Sequence, residues 1–164
     1  MFMEAIIAMY PGTYDPVTYG HLDIIERAAR LFKEVHVTIV TNPAKKTLFT
    51  TEERLEMLEK ATVHIPNIRV SHFDGLSVDY CRMVGAKAIV RGLRAQMDFE
   101  FEFQIAAANQ YLNPEIEMCF LMTRQNLAFV SSSVVKEIAL FQGKLEGLVP
   151  DFVQHALRKK YNSD

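Results

Sequence analysis

The chain has 164 residues, of which 49% are hydrophobic and 23% are charged, and its formal net charge is −2 at pH 7. This length is typical of a single domain that can bury a sizeable core, so we expect one domain over residues 1–164. The slightly acidic balance argues against a general nucleic-acid-binding protein, which would carry a basic excess, but it allows a local cluster of cations in a cleft.

Membrane and secretory features are not visible in the sequence. No apolar run approaches the roughly 20 residues that cross a bilayer, and the N-terminus lacks a basic region followed by a long apolar segment. Cys81 and Cys119 form no CxxC pair. We therefore expect a cytoplasmic protein with reduced thiols and no membrane partner.

Strand-like apolar runs alternate with amphipathic segments along the whole chain. The strands are predicted at residues 5–10, 35–40, 68–73, 87–90 and 117–121. The helices are predicted at residues 21–32, 51–64, 76–84, 99–111, 132–142 and 150–159. This alternation predicts an α/β fold with a doubly wound parallel sheet and right-handed crossovers.

Local signals support these boundaries and leave one segment ambiguous. Thr50 and Glu53 have the spacing of a capping box, and Gly85 stands where a helix would stop. Residues 98–103 alternate strictly between acidic and aromatic side chains, which is the period of a strand. The continuation through residue 110 is rich in helix formers, and an apolar stripe joins Phe99 to Phe103, so we favour a helix.

The segment at residues 10–21, Y-P-G-T-Y-D-P-V-T-Y-G-H, connects the first strand to the first helix. A strand, a glycine-containing turn and a helix in that order bring backbone N–H groups and a helix N-terminus together, which is a ready phosphate site. His21 adds an imidazole at the helix start, directly after Gly20. Asp15 precedes a proline, which favours a role in shaping the loop, and no second carboxylate nearby supports a magnesium site there.

These residues resemble the T/H-x-G-H signature of the nucleotidylyltransferase superfamily, and the P-G-T-Y-D-P prefix resembles the phosphopantetheine adenylyltransferase family in particular. Further matches in the same order are N-P-A-K-K at 42–46, R-G-L-R at 91–94, D-F-E-F-E at 98–102 and F-V-S-S-S at 129–133. The resemblance implies a Rossmann-like sheet of five strands in the order 3-2-1-4-5. In such a sheet the ligand crevice lies where the strand order reverses, between the first and fourth strands.

The resemblance also implies an activity. The family transfers AMP from ATP to 4'-phosphopantetheine and forms 3'-dephospho-coenzyme A and pyrophosphate. Mg²⁺ is expected to accompany ATP, and the family resemblance implies a homohexamer that coenzyme A inhibits.

Site residues follow from the same motifs. His21 is implied as the catalytic residue that stabilises the transition state. The phosphopantetheine-binding residues implied are Thr13, Lys45, Ser77 and Arg91. The ATP-binding residues implied are Thr13, Tyr14, His21, Gly92, Leu93, Arg94, Glu102, Leu127, Ala128, Phe129, Val130, Ser131, Ser132 and Ser133.

Simpler interpretations exist for several of these residues. His21 could merely cap its helix, a serine at a helix start is most often an N-cap, and Glu102 could be a solvated side chain. The chain also departs from the family, which commonly has an aromatic residue and a serine at the positions of Leu127 and Ala128. The remaining histidines show no metal-ligand spacing, so no metal-binding residue is predicted.

Other functions remain open at this stage. A related enzyme could adenylate nicotinamide mononucleotide or cytidylate a small alcohol phosphate. A fragment of a class I aminoacyl-tRNA synthetase would need a K-M-S-K-S loop, which this sequence lacks. A non-catalytic nucleotide sensor should lack His21, Lys45 or one of the arginines, and this chain has them all.

Overall fold

Five parallel strands form one sheet in the order 3-2-1-4-5, as the family resemblance implies. The computed structural model describes residues 5–162, apart from the side chains of residues 96 and 97. Residues 1–4 and 163–164 of the predicted domain lie outside the described residues. The strands are β1 (Ile7–Gly12), β2 (Glu34–Val40), β3 (Ile68–Phe73), β4 (Ala88–Leu93) and β5 (Glu117–Met122).

Helices connect these strands and continue after the last one. They are α1 (Tyr19–Leu31), α2 (Thr51–Thr62), α3 (Ser77–Val84), α4 (Gln96–Leu112), α5 (Ser132–Leu140) and α6 (Asp151–Asn162). The predicted capping box of α2 is present, and Gly85 ends α3 with a left-handed φ of 72°. A short 3-10 helix, Gln125–Leu127, has no counterpart in the prediction.

Successive residues of a strand point to opposite sides of the sheet, and helices cover both sides. On one face, Ala8, Val37 and Val90 belong to a large core that also includes side chains of α1, α2, α5 and α6. On the other face, Met9 and Ile89 pack in a smaller cluster with side chains of α3. This two-sided burial is the doubly wound arrangement that alternating strands and helices predict.

The ambiguous segment after β4 is helical. Within α4, Glu102 is buried, whereas Phe99, Phe101 and Phe103 are exposed. The alternation of acidic and aromatic residues at 98–103 therefore does not indicate a half-buried strand. The four-residue spacing of Asp98 and Glu102 instead places both carboxylates on one side of the helix.

Two central strands extend two or three residues further at their carboxyl ends than the sequence predicts. β1 runs to Gly12 and β4 runs to Leu93, so the G-T-Y and R-G-L-R motifs begin inside the strands. Because these strands are adjacent in the sheet, both motifs end at the same edge. In the described part of the chain, no helix is long and apolar enough to cross a membrane.

Candidate functional site

A cleft of about 550 Å³ lies at the carboxyl ends of β1 and β4. This is the place where the strand order reverses and where open α/β sheets bind their ligands. The predicted site residues that line it are Thr13, Tyr14, His21, Lys45, Ser77, Arg91, Gly92, Arg94, Glu102, Val130, Ser131 and Ser132.

The remaining predicted residues do not line this cleft. Leu93 is buried at the end of β4, and Phe129 is exposed. Leu127 lines a separate surface cavity beside α1 and α6, and neither Ala128 nor Ser133 reaches the cleft. Side-chain contacts from these five positions to a ligand in the cleft therefore have no support in this geometry.

His21 caps α1 and lines the cleft at the same time. The backbone N–H of Thr18 donates to His21 Nδ1 over 3.1 Å, and the backbone N–H of His21 donates to Thr18 Oγ1 over 3.3 Å. Because Nδ1 accepts a hydrogen bond, the neutral ring carries its proton on Nε2. The capping and donor interpretations are therefore compatible, since the cap occupies one nitrogen and leaves the other as a donor.

The imidazole of His21 is neutral near pH 7. Burial, together with the charges of Arg94 and Arg91, lowers its pKa to about 4. A phosphate in the cleft would oppose both effects, because it would offset the arginine charges and accept a hydrogen bond from Nε2.

The turn between β1 and α1 is held by contacts among its own residues and those next to it. Tyr14 has a positive φ of 50°, and its hydroxyl donates to the carbonyl oxygen of Tyr10 over 2.7 Å. A Cβ atom on Gly12 would lie 3.0 Å from the Tyr14 ring, which explains the glycine. The Tyr14 and His21 ring centroids are 4.9 Å apart, so the buried tyrosine packs against the histidine.

Asp15 joins the turn to two other elements. Its carboxylate accepts from the backbone N–H groups of Leu48 and Phe49, each over 2.9 Å, and pairs with Lys136 Nζ at 2.9 Å. The side chain is buried and does not line the cleft. This is the loop-shaping role that the sequence favours for Asp15.

Arg54, which the sequence did not single out, supports the same turn. Its guanidinium Nη1 donates to the carbonyl oxygen of Thr13 over 2.8 Å, although Arg54 lies in α2. It is buried. A basic residue in an amphipathic helix carries no sequence signal for such a long-range contact.

Lys45 lies in the loop between β2 and α2. Its backbone N–H donates to the carbonyl oxygen of Asn42 over 3.0 Å. Among the side chains that the structure describes, none forms an ion pair or hydrogen bond with its ammonium group, and the residue is exposed at the cleft. The ammonium group is therefore available to an anionic ligand.

Arg91 and Glu102, which were assigned to different substrates, pair with each other. Arg91 Nε and Nη2 donate to the two carboxylate oxygens over 2.9 and 2.6 Å, and Nη1 donates to the Pro11 carbonyl oxygen over 2.9 Å. Burial disfavours the guanidinium charge, but the contact with Glu102 outweighs it, so the pKa of Arg91 is raised. These contacts tie α4 to the ends of β1 and β4.

Arg94 differs from Arg91 because its hydrogen-bond partner is Asp98. Its Nε donates to Asp98 Oδ2 over 3.1 Å, and its backbone N–H donates to the same oxygen over 3.2 Å. Asp98 was part of a recognised motif but was not predicted as a site residue. Between the two arginines, Gly92 allows close packing, since a Cβ there would lie 3.1 Å from Ile24 Cγ1.

The serine segment uses its hydroxyl groups to begin α5. Ser131 Oγ accepts from the backbone N–H of Val134 over 3.1 Å, which is the N-cap that its position predicts. Ser132 Oγ donates to the carbonyl oxygen of Pro16 over 2.8 Å. What this segment offers to an anion is therefore the first backbone N–H groups of α5, which have no partner within the helix.

Comparison with known proteins agrees with this architecture. A solved structure from Vibrio parahaemolyticus, provisionally described as a nicotinate-nucleotide adenylyltransferase, superposes with a TM-score of 0.71 over 98% of each chain. The sequences are 12% identical, so this likeness concerns the fold. The family model described as cytidylyltransferase-like matches residues 9–138, a range that begins in β1, ends in α5 and includes every predicted site residue. The chain therefore belongs to the cytidylyltransferase-like family of the nucleotidylyltransferase superfamily.

Proposed function

We propose that the protein transfers the AMP group of ATP to 4'-phosphopantetheine and forms 3'-dephospho-coenzyme A and pyrophosphate. The observation that carries this proposal is the convergence on one cleft of His21 from the start of α1, Lys45 from the loop after β2 and Arg94 from the end of β4. The family supports nucleotidyl transfer. The choice of 4'-phosphopantetheine rests on the P-G-T-Y-D-P and R-G-L-R motifs.

The order of the strands supports a division of the cleft between the two substrates. Lys45 follows β2 and Arg94 follows β4, whereas His21 follows β1, which lies between those strands in the sheet. A phosphate held by Lys45 would therefore approach from one side and a triphosphate held by Arg94 from the other. The group that is transferred would lie beside His21.

In the proposed reaction an oxygen of the acceptor phosphate attacks the α-phosphorus of ATP. A new phosphorus–oxygen bond forms, the bond from the α-phosphorus to the bridging oxygen breaks, and pyrophosphate leaves with that electron pair. The nucleophile is already ionised near neutral pH, so no general base is required. Catalysis then depends on alignment and on donors to the reacting oxygens, and Nε2–H of His21 supplies one to a non-bridging α-phosphate oxygen.

Mg²⁺ belongs to this proposal as part of the substrate. The carboxylates of Asp98 and Glu102 in the cleft are each held by an arginine. In the described part of the chain, no group of three or more His, Cys, Asp or Glu residues could hold a metal ion. We propose that the ion enters as MgATP, bound through phosphate oxygens, where it neutralises part of their charge.

Assembly and inhibition are further proposals that come from the family resemblance. Exposed Phe99, Phe101 and Phe103 on α4 support burial of this helix against another subunit, since exposed apolar patches often mark interfaces. Light scattering on the purified protein should give the mass of a homohexamer, and a monomeric mass would contradict this. Coenzyme A added to the assay should lower the rate.

The proposed reaction is tested by pyrophosphate release from purified protein. ATP and 4'-phosphopantetheine together should release pyrophosphate, and either substrate alone should not. Nicotinate mononucleotide, nicotinamide mononucleotide and a small alcohol phosphate with CTP serve as competing acceptors. Faster turnover with one of these would replace 4'-phosphopantetheine as the substrate, and no release with any of them would contradict nucleotidyl transfer.

A further inference from the structure

The two arginines at the end of β4 differ in which of their nitrogen atoms are occupied. In Arg91 the Nε, Nη1 and Nη2 atoms all donate to protein oxygens. In Arg94 the side-chain contact to Asp98 uses Nε. Its Nη1 and Nη2 atoms make no hydrogen bond with any side chain or backbone group that the structure describes, and the residue lines the cleft.

We propose that Asp98 is a positioning residue for nucleotide binding: it holds the Nε edge of Arg94 so that Nη1 and Nη2 face the triphosphate. This inference rests on the proposed function, because it takes ATP as the ligand of the cleft. Asp98 itself lines the cleft, and the proposed effect on ATP binding acts through its contact with Arg94.

The geometry of the contact supports positioning. A single oxygen, Oδ2 of Asp98, accepts from both the side-chain Nε and the backbone N–H of Arg94. The two donors fix the guanidinium relative to its own backbone, which an ion pair to a distant element would not do. An arginine side chain has many rotamers, and a guanidinium that is already oriented loses less freedom when it binds a phosphate.

The same contact is poorly placed to stabilise the fold. The side chains of Arg94 and Asp98 are 36% and 29% exposed, and an ion pair this accessible to water contributes little to stability. The pair of Arg91 and Glu102 is more buried and already ties α4 to the sheet. A role in ligand binding therefore explains the Asp98 contact better than a role in folding.

Electrostatics link Arg94 to the reacting centre. Arg94 and His21 line the same cleft, and the positive charge of Arg94 lowers the pKa of His21. A cation in this place can meet the phosphates next to the group that His21 would contact. Its orientation therefore bears on ATP and much less on the acceptor, which Lys45 is proposed to hold from the other side.

A direct test compares Asp98→Ala with Asp98→Asn, which keeps an acceptor oxygen without the charge. For Asp98→Ala the KM for ATP should rise roughly tenfold, because an oriented, charge-assisted contact is lost. For Asp98→Asn the rise should be about threefold. The KM for 4'-phosphopantetheine should stay within about twofold of wild type in both variants. Glu100→Gln, an exposed carboxylate of the same helix, is the matched control and should leave both values unchanged.

A double-mutant cycle separates positioning from a general effect on the helix. In an Arg94→Gln background, Asp98→Ala should raise the KM for ATP no further, because the residue it positions is gone. An equal rise in both backgrounds would overturn the proposal. A lower KM for ATP in Asp98→Ala would also overturn it, since the carboxylate would then compete with the triphosphate.

Calorimetric binding of MgATP without acceptor distinguishes this inference from the proposed reaction. If the wild type binds MgATP but releases no pyrophosphate, the proposed function fails, while weaker binding by Asp98→Ala still supports positioning. If the wild type turns over and Asp98→Ala binds and turns over like wild type, the positioning role alone fails.

Discussion

The turn between β1 and α1 and the segment before α5 both match family motifs, but they present different groups to the cleft. In the turn, Thr18 and Tyr14 contact the His21 ring, and this side chain lines the cleft. In the segment before α5, the hydroxyls of Ser131 and Ser132 are engaged by the protein itself. A motif residue can therefore present its side chain to the cleft, or use its side chain to fix the backbone conformation beside the cleft.

The largest expected effect is in the turn. His21→Ala should lower kcat by about 100- to 1000-fold with the fold intact, because one preorganised donor to the transition state is removed. Steady-state pyrophosphate release measures the change, and circular dichroism checks the fold. His155→Ala, which removes an exposed histidine of α6, is the control and should retain wild-type kcat. A near wild-type kcat for His21→Ala would contradict the role of this side chain as a donor to the transition state.

The pair of Arg91 and Glu102 should contribute mainly to stability. Glu102→Gln leaves a largely buried guanidinium without its charge partner, so the free energy of unfolding should fall by about 3 kcal/mol. Urea denaturation measures this, and Arg91→Met combined with Glu102→Gln should recover part of the loss, since no unpaired charge remains. Unchanged stability would instead favour the predicted contact of Glu102 with ATP.

The low pKa of His21 predicts a pH dependence of stability. The pKa is about 4 in the folded protein, against an ordinary value of 6.5, so between these values the unfolded chain binds a proton that the folded chain does not. The free energy of unfolding should therefore fall as the pH falls from 6.5 towards 4, by roughly 2 kcal/mol from this residue. Denaturation of the wild type and His21→Gln across this range measures the difference, and parallel curves would contradict it.

Lys45 should affect one substrate. Lys45→Ala should raise the KM for 4'-phosphopantetheine about tenfold, because a charge-assisted contact with the acceptor phosphate is lost, and should leave stability unchanged. Lys46→Ala, an exposed neighbour, is the matched control. A rise confined to the KM for ATP would reverse the proposed division of the cleft.

The smallest effects are expected in the serine segment. Ser131→Ala should lower the free energy of unfolding by about 1 kcal/mol through loss of the N-cap. Its KM for ATP should stay within about twofold of wild type, because the hydroxyl is already engaged. Ser133→Ala should change neither quantity. A tenfold rise in the KM for ATP with unchanged stability would show that the Ser131 hydroxyl contacts the nucleotide.

The doubly wound parallel architecture could be predicted from local patterns, whereas the strand order 3-2-1-4-5, and with it the position of the cleft, followed from the family resemblance. Apolar runs alternate with amphipathic segments, and the motifs lie at strand ends that meet at one edge. The pairing of Arg91 with Glu102 could not be predicted, because it depends on how α4 lies over the ends of β1 and β4. Lys136 and Asp15 are 121 residues apart, and neither has a local pattern that reports their contact.

The positions of Leu127 and Phe129 were beyond prediction for a related reason. The motif gives the course of the backbone before α5, but the direction of each side chain depends on the 3-10 helix Gln125–Leu127. The chain departs from the family at Leu127 and Ala128, and neither residue lines the cleft at the ends of β1 and β4.

The most direct test of the central claim follows the α-phosphorus of ATP. With ATP labelled at that position and 4'-phosphopantetheine as acceptor, a single turnover should move the label into dephospho-coenzyme A, and unlabelled pyrophosphate should be released. His21→Ala should slow this transfer without redirecting the label. Label recovered in AMP regardless of the acceptor, or transfer of the γ-phosphate in place of the α-phosphate, would contradict adenylyl transfer in this cleft.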